Sequence, residues 1–559
     1  MPYKEIRADF EHLRKLFIFP ESEDRFIEFG QMILNMLHSY FREKGGIHSS
    51  VSLKSLEEMF SEISIPRGPH LLKDIFSEIE EKIISNSVKV SSPYYIGHMT
   101  SAIPYYSIFV EMIIAALNQN QVKIETAKAS TFVERELICW IHRLIYNFND
   151  EYYNSSIQNR NVSLGSVTLD GTLANLTALL IARNKAFPAD GSFRGISEEG
   201  IAEAYKYYNV ERSVVFVSRR GHYSIDKING ILGVGTRNII KIPVDKYNKA
   251  DVNLLKHEIS KIEEHNKAGG ARIKIIAIVA VAGSTETGNI DDLYEIRKCA
   301  ESCGAHYHVD AAWGGPVLFV DQYRTLFRGI ELADSVTFDS HKLLYLPLSM
   351  GMVLFRNEKD PDFIKHNSTY ILRKDSYDLG RFTVEGSRPF SALRPWVAMK
   401  VFGSEGFRLL FENAFKLTKF FQKSIINSSC FELLNIPELF IINYRFIPEQ
   451  ISDFIMETAS SDSRGYDAEK IIEINTALND INKDLHRHLR HEDNSFVSRT
   501  VLESTQYHGQ MIVSLRAVTI NPLTDDNILS EILLEQQKLG EMIFRDYSVR
   551  IDSIIKKPR

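Results

Sequence analysis

His308-Val309-Asp310-Ala311-Ala312-Trp313-Gly314-Gly315 and, further along, Asp339-Ser340-His341-Lys342 are the two stretches on which the reading of this chain turns. The first ends an apolar run on an aspartate, and the second sets a lysine in a polar turn. Ser335-Val-Thr-Phe-Asp339 precedes the lysine, and Leu343-Leu-Tyr-Leu346 and Gly351-Met-Val-Leu-Phe355 follow it. Short runs of this composition predict buried strands. Upstream, Ser213-Val-Val-Phe-Val-Ser218, Ile239-Ile-Lys-Ile-Pro243, Ile273-Lys-Ile-Ile-Ala-Ile-Val-Ala-Val281 and His306-Tyr-His-Val-Asp310 are of the same kind, separated by helical or polar stretches. Strands alternating with helices predict an α/β fold on a mostly parallel sheet. Such sheets bind ligands at the carboxyl ends of their strands.

An aspartate or a lysine alone at a strand end is an ordinary solvated group. Together they suit pyridoxal 5'-phosphate. That cofactor is an electron sink only while its ring nitrogen stays protonated, which calls for a carboxylate partner, and its aldehyde is held as a Schiff base by a lysine amine. Asp310 and Lys342 fill those two roles. Leu169-Asp-Gly-Thr-Leu-Ala-Asn175 precedes a helical pattern over residues 176–186, so Gly171 and Thr172 fall at a helix N-terminus suited to a phosphate; Asp170 or Thr172 also reads as a plain N-cap. His222, in the turn after the strand ending at Val217, can stack on the pyridine ring and touch a substrate carboxylate. Thr285 falls beside the ring, Asp291 reads as a helix cap, and Ser340 and His341 are candidate phosphate contacts.

With 559 residues, 44% hydrophobic and 25% charged, the composition is that of a folded globular protein with a large core. A net charge of -6 and a pI near 6.3 supply no field favouring nucleic acid or an anionic membrane, and Arg219-Arg220 is too short a cluster to change that. The N-terminal residues mix both charges and lack the apolar core of a secretory signal. No segment reaches about 18 uninterrupted apolar residues; the run over 103–117 contains Pro104 and Glu111. These features predict a cytoplasmic protein with a small-molecule substrate and neither nucleic-acid nor membrane partners. Cys139, Cys299, Cys303 and Cys430 lack paired metal spacing and read as thiols rather than ligands, so no metal is expected.

Three regions are expected. Residues 1–90 form a helical arm, with amphipathic spacing at Phe26 to Leu37 and Leu72 to Ile84. Residues 91–404 form the large α/β domain. Residues 405–559 form a small α+β domain, with helices over 407–426 and 526–544, strands at 439–443 and 511–515, and a polar loop at 457–465.

The order and spacing of Gly-Thr-Leu-Ala-Asn, Gly-His-Tyr-Ser, Ala-Gly-Ser-Thr-Glu-Thr-Gly, His-Val-Asp-Ala-Ala-Trp-Gly-Gly and Asp-Ser-His-Lys-Leu-Leu resemble the group II pyridoxal-phosphate-dependent amino-acid decarboxylases, over roughly residues 90–530. The resemblance implies the fold type I architecture and a homodimer with active sites at the subunit interface. It makes Lys342 the Schiff-base lysine, Asp310 the ring-nitrogen partner, His222 the stacking residue and Ala312 the packing group on the opposite ring face. Gly171, Thr172, Ser340 and His341 would surround the phosphate, and Thr285 matches the threonine near the ring oxygen. Asp170 departs from the family pattern, in which small residues often precede the helix start.

The family's proton donor is a tyrosine on a loop lent across the dimer. Tyr370 matches its spacing, with Tyr377 as the alternative. Arg516, in Leu515-Arg516-Ala-Val-Thr-Ile-Asn521-Pro522, resembles the arginine that pairs with a substrate carboxylate. Tyr94, His98, Thr100, Asn118 and Asn120 are polar beyond the needs of an aromatic pocket, with His98 and Asn118 the foremost substrate contacts. The wording of these segments most resembles bacterial aspartate 1-decarboxylases making β-alanine for pantothenate. Glutamate decarboxylase, one methylene away in substrate, is the competing activity. A transaminase or desulfurase on the same fold, or a non-catalytic cofactor-binding regulator or scaffold, are the readings from other classes.

Overall fold

In the computed structural model the described residues are 10–556 apart from 44–45, 367–374, 450, 453–465, 493 and 508. A seven-stranded sheet carries the chemistry-bearing loops. Its strands are β1 (Gly165–Thr168), β2 (Val210–Ser218), β3 (Ile239–Ile242), β4 (Arg272–Val281), β5 (His306–Asp310), β6 (Ser335–Asp339) and β7 (Gly351–Phe355), in the order β1-β7-β6-β5-β4-β2-β3. Strands β2 to β6 pair in parallel, and β7 runs antiparallel to both neighbours. The sheet is mostly parallel, as expected. Every residue of β5, β6 and β7 is buried; β7 is accordingly an apolar run, whereas β5 and β6 also bury His306, His308, Ser335 and Thr337, which are hydrogen-bonded.

Residues 343–346, apolar and buried, are not the strand their composition suggests. They follow β6 as a turn and irregular segment, and the chain re-enters the sheet only at Gly351. β1 is short, and the apolar-run rule does not find it. The helix Gly171–Ala186 follows it directly, N-capped by the Asp170 side chain on the Leu173 N–H at 2.9 Å.

A second, four-stranded antiparallel sheet has the order β10-β11-β9-β8, from β8 (Phe431–Leu433), β9 (Ile441–Phe446), β10 (Ser498–Glu503) and β11 (Met511–Val518). The helices Tyr466–Glu492 and Asp526–Ile555 accompany it, and the long helix Leu393–Ile426, broken at Gly403, leads into it. The arm before residue 90 holds Phe26–Arg42 and Leu72–Glu78 as expected, with shorter helices between irregular stretches.

The segment after the arm joins the second sheet. Ile96 N–H donates to Phe496 O at 3.0 Å, Val518 N–H to Ile96 O at 2.5 Å, and the Asn521 side chain to Ser92 O at 2.7 Å. This pairing lays Gly97 and His98 beside Arg516 on β11, residues more than 400 positions apart in sequence. Asp291 is not the helix cap its position suggests. Asp292 caps the helix Leu293–Cys303, while Asp291 is buried and accepts from Ala250 N–H (2.8 Å) and Val281 N–H (2.9 Å). Cys139, Cys299, Cys303 and Cys430 are free, and all but the half-buried Cys303 are buried.

Candidate active site

At the carboxyl ends of β1, β2, β4, β5 and β6 the loops line a cavity of about 200 Å³. Its wall takes Gly171 and Thr172 from the start of the helix after β1, Arg220 and His222 from the turn after β2, and Gly283 and Thr285 from beyond β4. Asp310, Ala312 and Trp313 come from β5 and its sequel, and Asp339, His341 and Lys342 from the end of β6. Eight of the residues singled out from the sequence therefore meet in one place: Gly171, Thr172, His222, Thr285, Asp310, Ala312, His341 and Lys342.

Two glycines let the walls approach. Gly283 has φ +98° and lies where a Cβ would sit 2.8 Å from Trp313 Cδ1; a Cβ on Gly171 would sit 2.8 Å from Asp339 Oδ2. Lys342 Nζ lies 2.9 Å from Asp339 Oδ2. Burial works against the ammonium, but Asp339 by charge and hydrogen bond, then Asp310, hold its pKa above the ordinary lysine value. Asp339 Oδ1 is buried and has no hydrogen-bond partner among the described residues.

Asp310 is fixed from behind. Asn175 Nδ2 donates to its Oδ2 at 2.9 Å and Ala312 N–H to its Oδ1 at 3.2 Å. His222 Nδ1 lies 2.9 Å from Ser224 Oγ, and burial lowers the imidazole pKa, with Asp310 opposing. Ser340 is buried with its hydroxyl on Met350 O, and His341 Nδ1 lies 2.9 Å from the same carbonyl.

Arg516 is buried. It donates from Nη2 (2.7 Å) and Nε (3.0 Å) to Thr285 O and from Nη1 to Gly97 O at 3.2 Å, which ties the cavity wall to the second sheet. Burial brings its pKa down to about 10, against the charge of Glu286. His98 is exposed and bonds Thr100 Oγ1 at 2.9 Å. Crowding of its ring, then the charges of Arg516 and Lys342, push the imidazole below its ordinary value.

Other candidates stand elsewhere. Asn118 is an exposed C-cap at φ +45° on the helix Tyr106–Leu117. Asn120 Oδ1 accepts from Val122 N–H and Arg388 N–H, both at 3.3 Å, and Tyr94 OH donates to Glu531. None of the three lines the cavity. Tyr377 packs edge-on against Phe132, 5.3 Å between centroids. Tyr370 lies outside the described residues.

A model described as the pyridoxal-dependent decarboxylase conserved domain matches residues 56–447. The chain belongs to that decarboxylase family. It is 38% identical over 533 residues to the aspartate 1-decarboxylase of Aliivibrio fischeri, covering 95% of each chain, and 27% identical to the L-2,4-diaminobutyrate decarboxylase of Acinetobacter baumannii, covering 83% and 84%. In fold it is similar to crystal structures of mouse CSAD (TM-score 0.76, 21% identity, 92% and 99% of the chains) and of an Oryza sativa TDC with PLP and tryptamine (TM-score 0.76, 17% identity, 94% and 100%).

The cavity of this decarboxylase fits pyridoxal phosphate. A carboxylate held only by neutral donors, Asp310, awaits a positive ring nitrogen. An amine, Lys342, stands at the end of the neighbouring strand, and Gly171 and Thr172 open a helix of 16 residues whose N-terminal dipole favours a phosphate. Among the described residues no cluster of three or more histidine, cysteine or acidic side chains could hold a metal ion, and no helix is long and apolar enough to cross a membrane.

The spacing rules miss four residues of this site: Asn175, His308, Asp339 and Arg220. Arg220 reads from the sequence as a surface charge, yet it is buried in the cavity wall. Its Nη2 is bonded to Asn248 Oδ1 (2.9 Å) and Glu503 O (3.2 Å), and its Nε has no partner among the described residues.

Proposed function

We propose that this enzyme removes the α-carboxylate of L-aspartate, giving β-alanine and carbon dioxide. The observation that carries this reading is the identity to an aspartate 1-decarboxylase along 95% of both chains. The site supports an acidic substrate: Arg220 lines the cavity, and Arg516 is clamped to its wall through the Thr285 carbonyl. A buried guanidinium binds a carboxylate bidentately and discriminates strongly against substrates that leave it unpaired.

In the reaction the bond between Cα and the α-carboxyl carbon breaks, carbon dioxide leaves, and a proton is added at Cα. Pyridoxal phosphate, when bound, supplies an aldehyde that condenses with amines and a protonated ring that accepts the released electron pair. The chain's own groups do the rest. Lys342 Nζ is the attachment amine. Asp310 holds the proton on the ring nitrogen. His222, whose imidazole pKa burial lowers, would cover a ring face and shield the reacting carbon from water. Gly171, Thr172 and His341, with Ser340 behind, anchor the phosphate. Arg516, behind the cavity wall at the Thr285 carbonyl and with His98 nearby, receives the side-chain carboxylate. Tyr370, lent by a partner subunit, supplies the proton to Cα.

The second subunit is a further copy of this chain. The helix Tyr106–Leu117 leaves Phe109, Met112, Ile113 and Leu117 between 45% and 50% exposed on one face, with Val110 and Ile114 buried on the other. A helix that is apolar all round requires cover on both sides. The enzyme works in the cytoplasm, and its β-alanine is the amine half of pantothenate.

The test supplies purified enzyme and pyridoxal phosphate with L-aspartate or L-glutamate at equal concentration and measures carbon dioxide and the amine formed. Faster β-alanine formation supports the proposal; faster γ-aminobutyrate formation, or no product from either, overturns it.

A further inference from the structure

Behind Asp310 runs a chain of buried side chains whose hydrogen bonds can be oriented in only one way. Asn175, on the helix Gly171–Ala186, lies with Nδ2 at 2.9 Å from Asp310 Oδ2 and Oδ1 at 2.9 Å from His308 Nε2 and 2.6 Å from Thr337 Oγ1. His308 Nδ1 lies 2.8 Å from Ser335 Oγ, which in turn lies 2.7 Å from His306 Nε2. All of these residues are buried, Asn175 at 2% exposure and His308, Ser335 and Thr337 at 0%.

The amide of Asn175 must turn its NH₂ toward Asp310, because the reverse would set a carbonyl oxygen against a carboxylate. Its oxygen then needs donors, so His308 carries its proton on Nε2 and accepts at Nδ1 from the Ser335 hydroxyl. The Ser335 oxygen accepts in turn from His306 Nε2–H. Burial keeps both imidazoles neutral, lowering their pKa values to about 4 for His308 and about 3 for His306. Every donor in the chain points toward Asp310, which makes no ion pair within 4.0 Å among the described residues.

We propose that Asn175, backed by the chain His308–Ser335–His306, is a positioning residue that fixes the Asp310 carboxylate and aims it at the ring nitrogen of pyridoxal phosphate. The inference rests on the assignment of that cofactor to this cavity. A carboxylate met from behind by neutral donors alone keeps its charge for the one partner that brings a positive N–H. Leucine at position 175 would keep the volume but remove the donor, freeing the carboxylate to turn and leaving His308 Nε2–H only its longer contact with Thr337 Oγ1 at 3.4 Å.

The experiment titrates cofactor-free enzyme by fluorescence with pyridoxal phosphate and with its carbocyclic analogue, in which a C–H replaces the ring nitrogen. Wild-type enzyme, Asn175→Leu, His308→Leu and His308→Gln are compared. Wild type is expected to bind pyridoxal phosphate at least tenfold more tightly than the analogue. Asn175→Leu and His308→Leu should reduce that preference to less than threefold, and His308→Gln, which restores a donor, should recover most of it. A general packing defect would weaken both ligands alike and leave the preference intact, which overturns the inference. Absence of a preference in wild type overturns it as well. Failure of wild type to bind pyridoxal phosphate would instead overturn the cofactor assignment and the inference with it. If Asn175→Leu does not fold, the two His308 variants decide.

Discussion

At the residue scale, Lys342 and Asp339 form the charged pair of the cavity, 2.9 Å apart. Substituting Lys342 by alanine removes the proposed attachment amine, and the expected outcome is loss of the visible absorbance of the cofactor-loaded enzyme together with at least a 10³-fold fall in kcat. An absorption spectrum of the variant incubated with pyridoxal phosphate and desalted checks this; a retained band would move the attachment elsewhere. Arg516 is expected to act in binding. Arg516→Gln keeps a donor for the Thr285 carbonyl but loses the charge, and it should raise KM for aspartate about tenfold or more, corresponding to a lost charge-assisted bond of roughly 1.5–3 kcal/mol. Steady-state kinetics separate this from a change confined to kcat. The residues legible in the sequence at this scale are those whose chemistry needs a given type at a strand or helix end: Asp310, Lys342, Gly171 and Thr172. Asn175, His308 and Arg220 were not legible, since an asparagine mid-helix, a histidine mid-strand and an arginine in a turn acquire roles only from partners on other elements.

At the scale of elements, the strands entering the cavity other than β1 match their expected ranges closely, because buried strands are short runs rich in β-branched, aromatic and aliphatic residues. Residues 343–346 share that composition without forming a strand: burial alone selects apolar residues, and pairing is not recorded in them. The helix Tyr466–Glu492 went unnoticed, although Ile474, Ala477, Leu478, Ile481 and Leu485 carry the three-to-four spacing that marks one buried face. The exposed face of Tyr106–Leu117 bears a prediction of its own. For the dimer proposed through this face, Ile113→Glu, placed among Phe109, Met112 and Leu117, should give monomer by light scattering and lower activity at least tenfold. A variant that stays dimeric and fully active would locate the subunit contact elsewhere.

At the scale of the molecule, burial sets the acid limit of stability. His142 and His308 have pKa values lowered to about 4 and His306 to about 3, each chiefly by burial. The unfolded chain takes up these protons near the ordinary value of about 6.5. The stabilising contribution is therefore complete above that pH and is lost as pH falls through 4 toward 3. Asp291, raised to about 6 by burial, takes a proton in the folded state over part of that range and offsets part of this uptake, while His486, lowered to about 4 by burial, adds to it. Thermal midpoints should fall from pH 6.5 to pH 4, with stability changing by roughly 1 kcal/mol per pH unit for each net proton. His308→Gln should flatten the curve by one histidine's share. Calorimetry over this range checks the slope, and a flat profile would show that these imidazoles are not buried neutral.

Fold class and cofactor chemistry were legible in the chain alone. Apolar runs specify strands through burial, and an aspartate and a lysine at strand ends specify a site through the needs of a protonated ring and an amine-reactive aldehyde. What stands around them emerges only once the chain is folded. Arg516 meets Gly97, and Asp310 meets Asn175, by sheet pairing and helix packing that bring distant residues within 3.2 Å. Hydrogen bonds and desolvation act over a few ångströms of space, so a residue's partners, and with them its charge and its role, are set by neighbours that its own stretch of chain does not name.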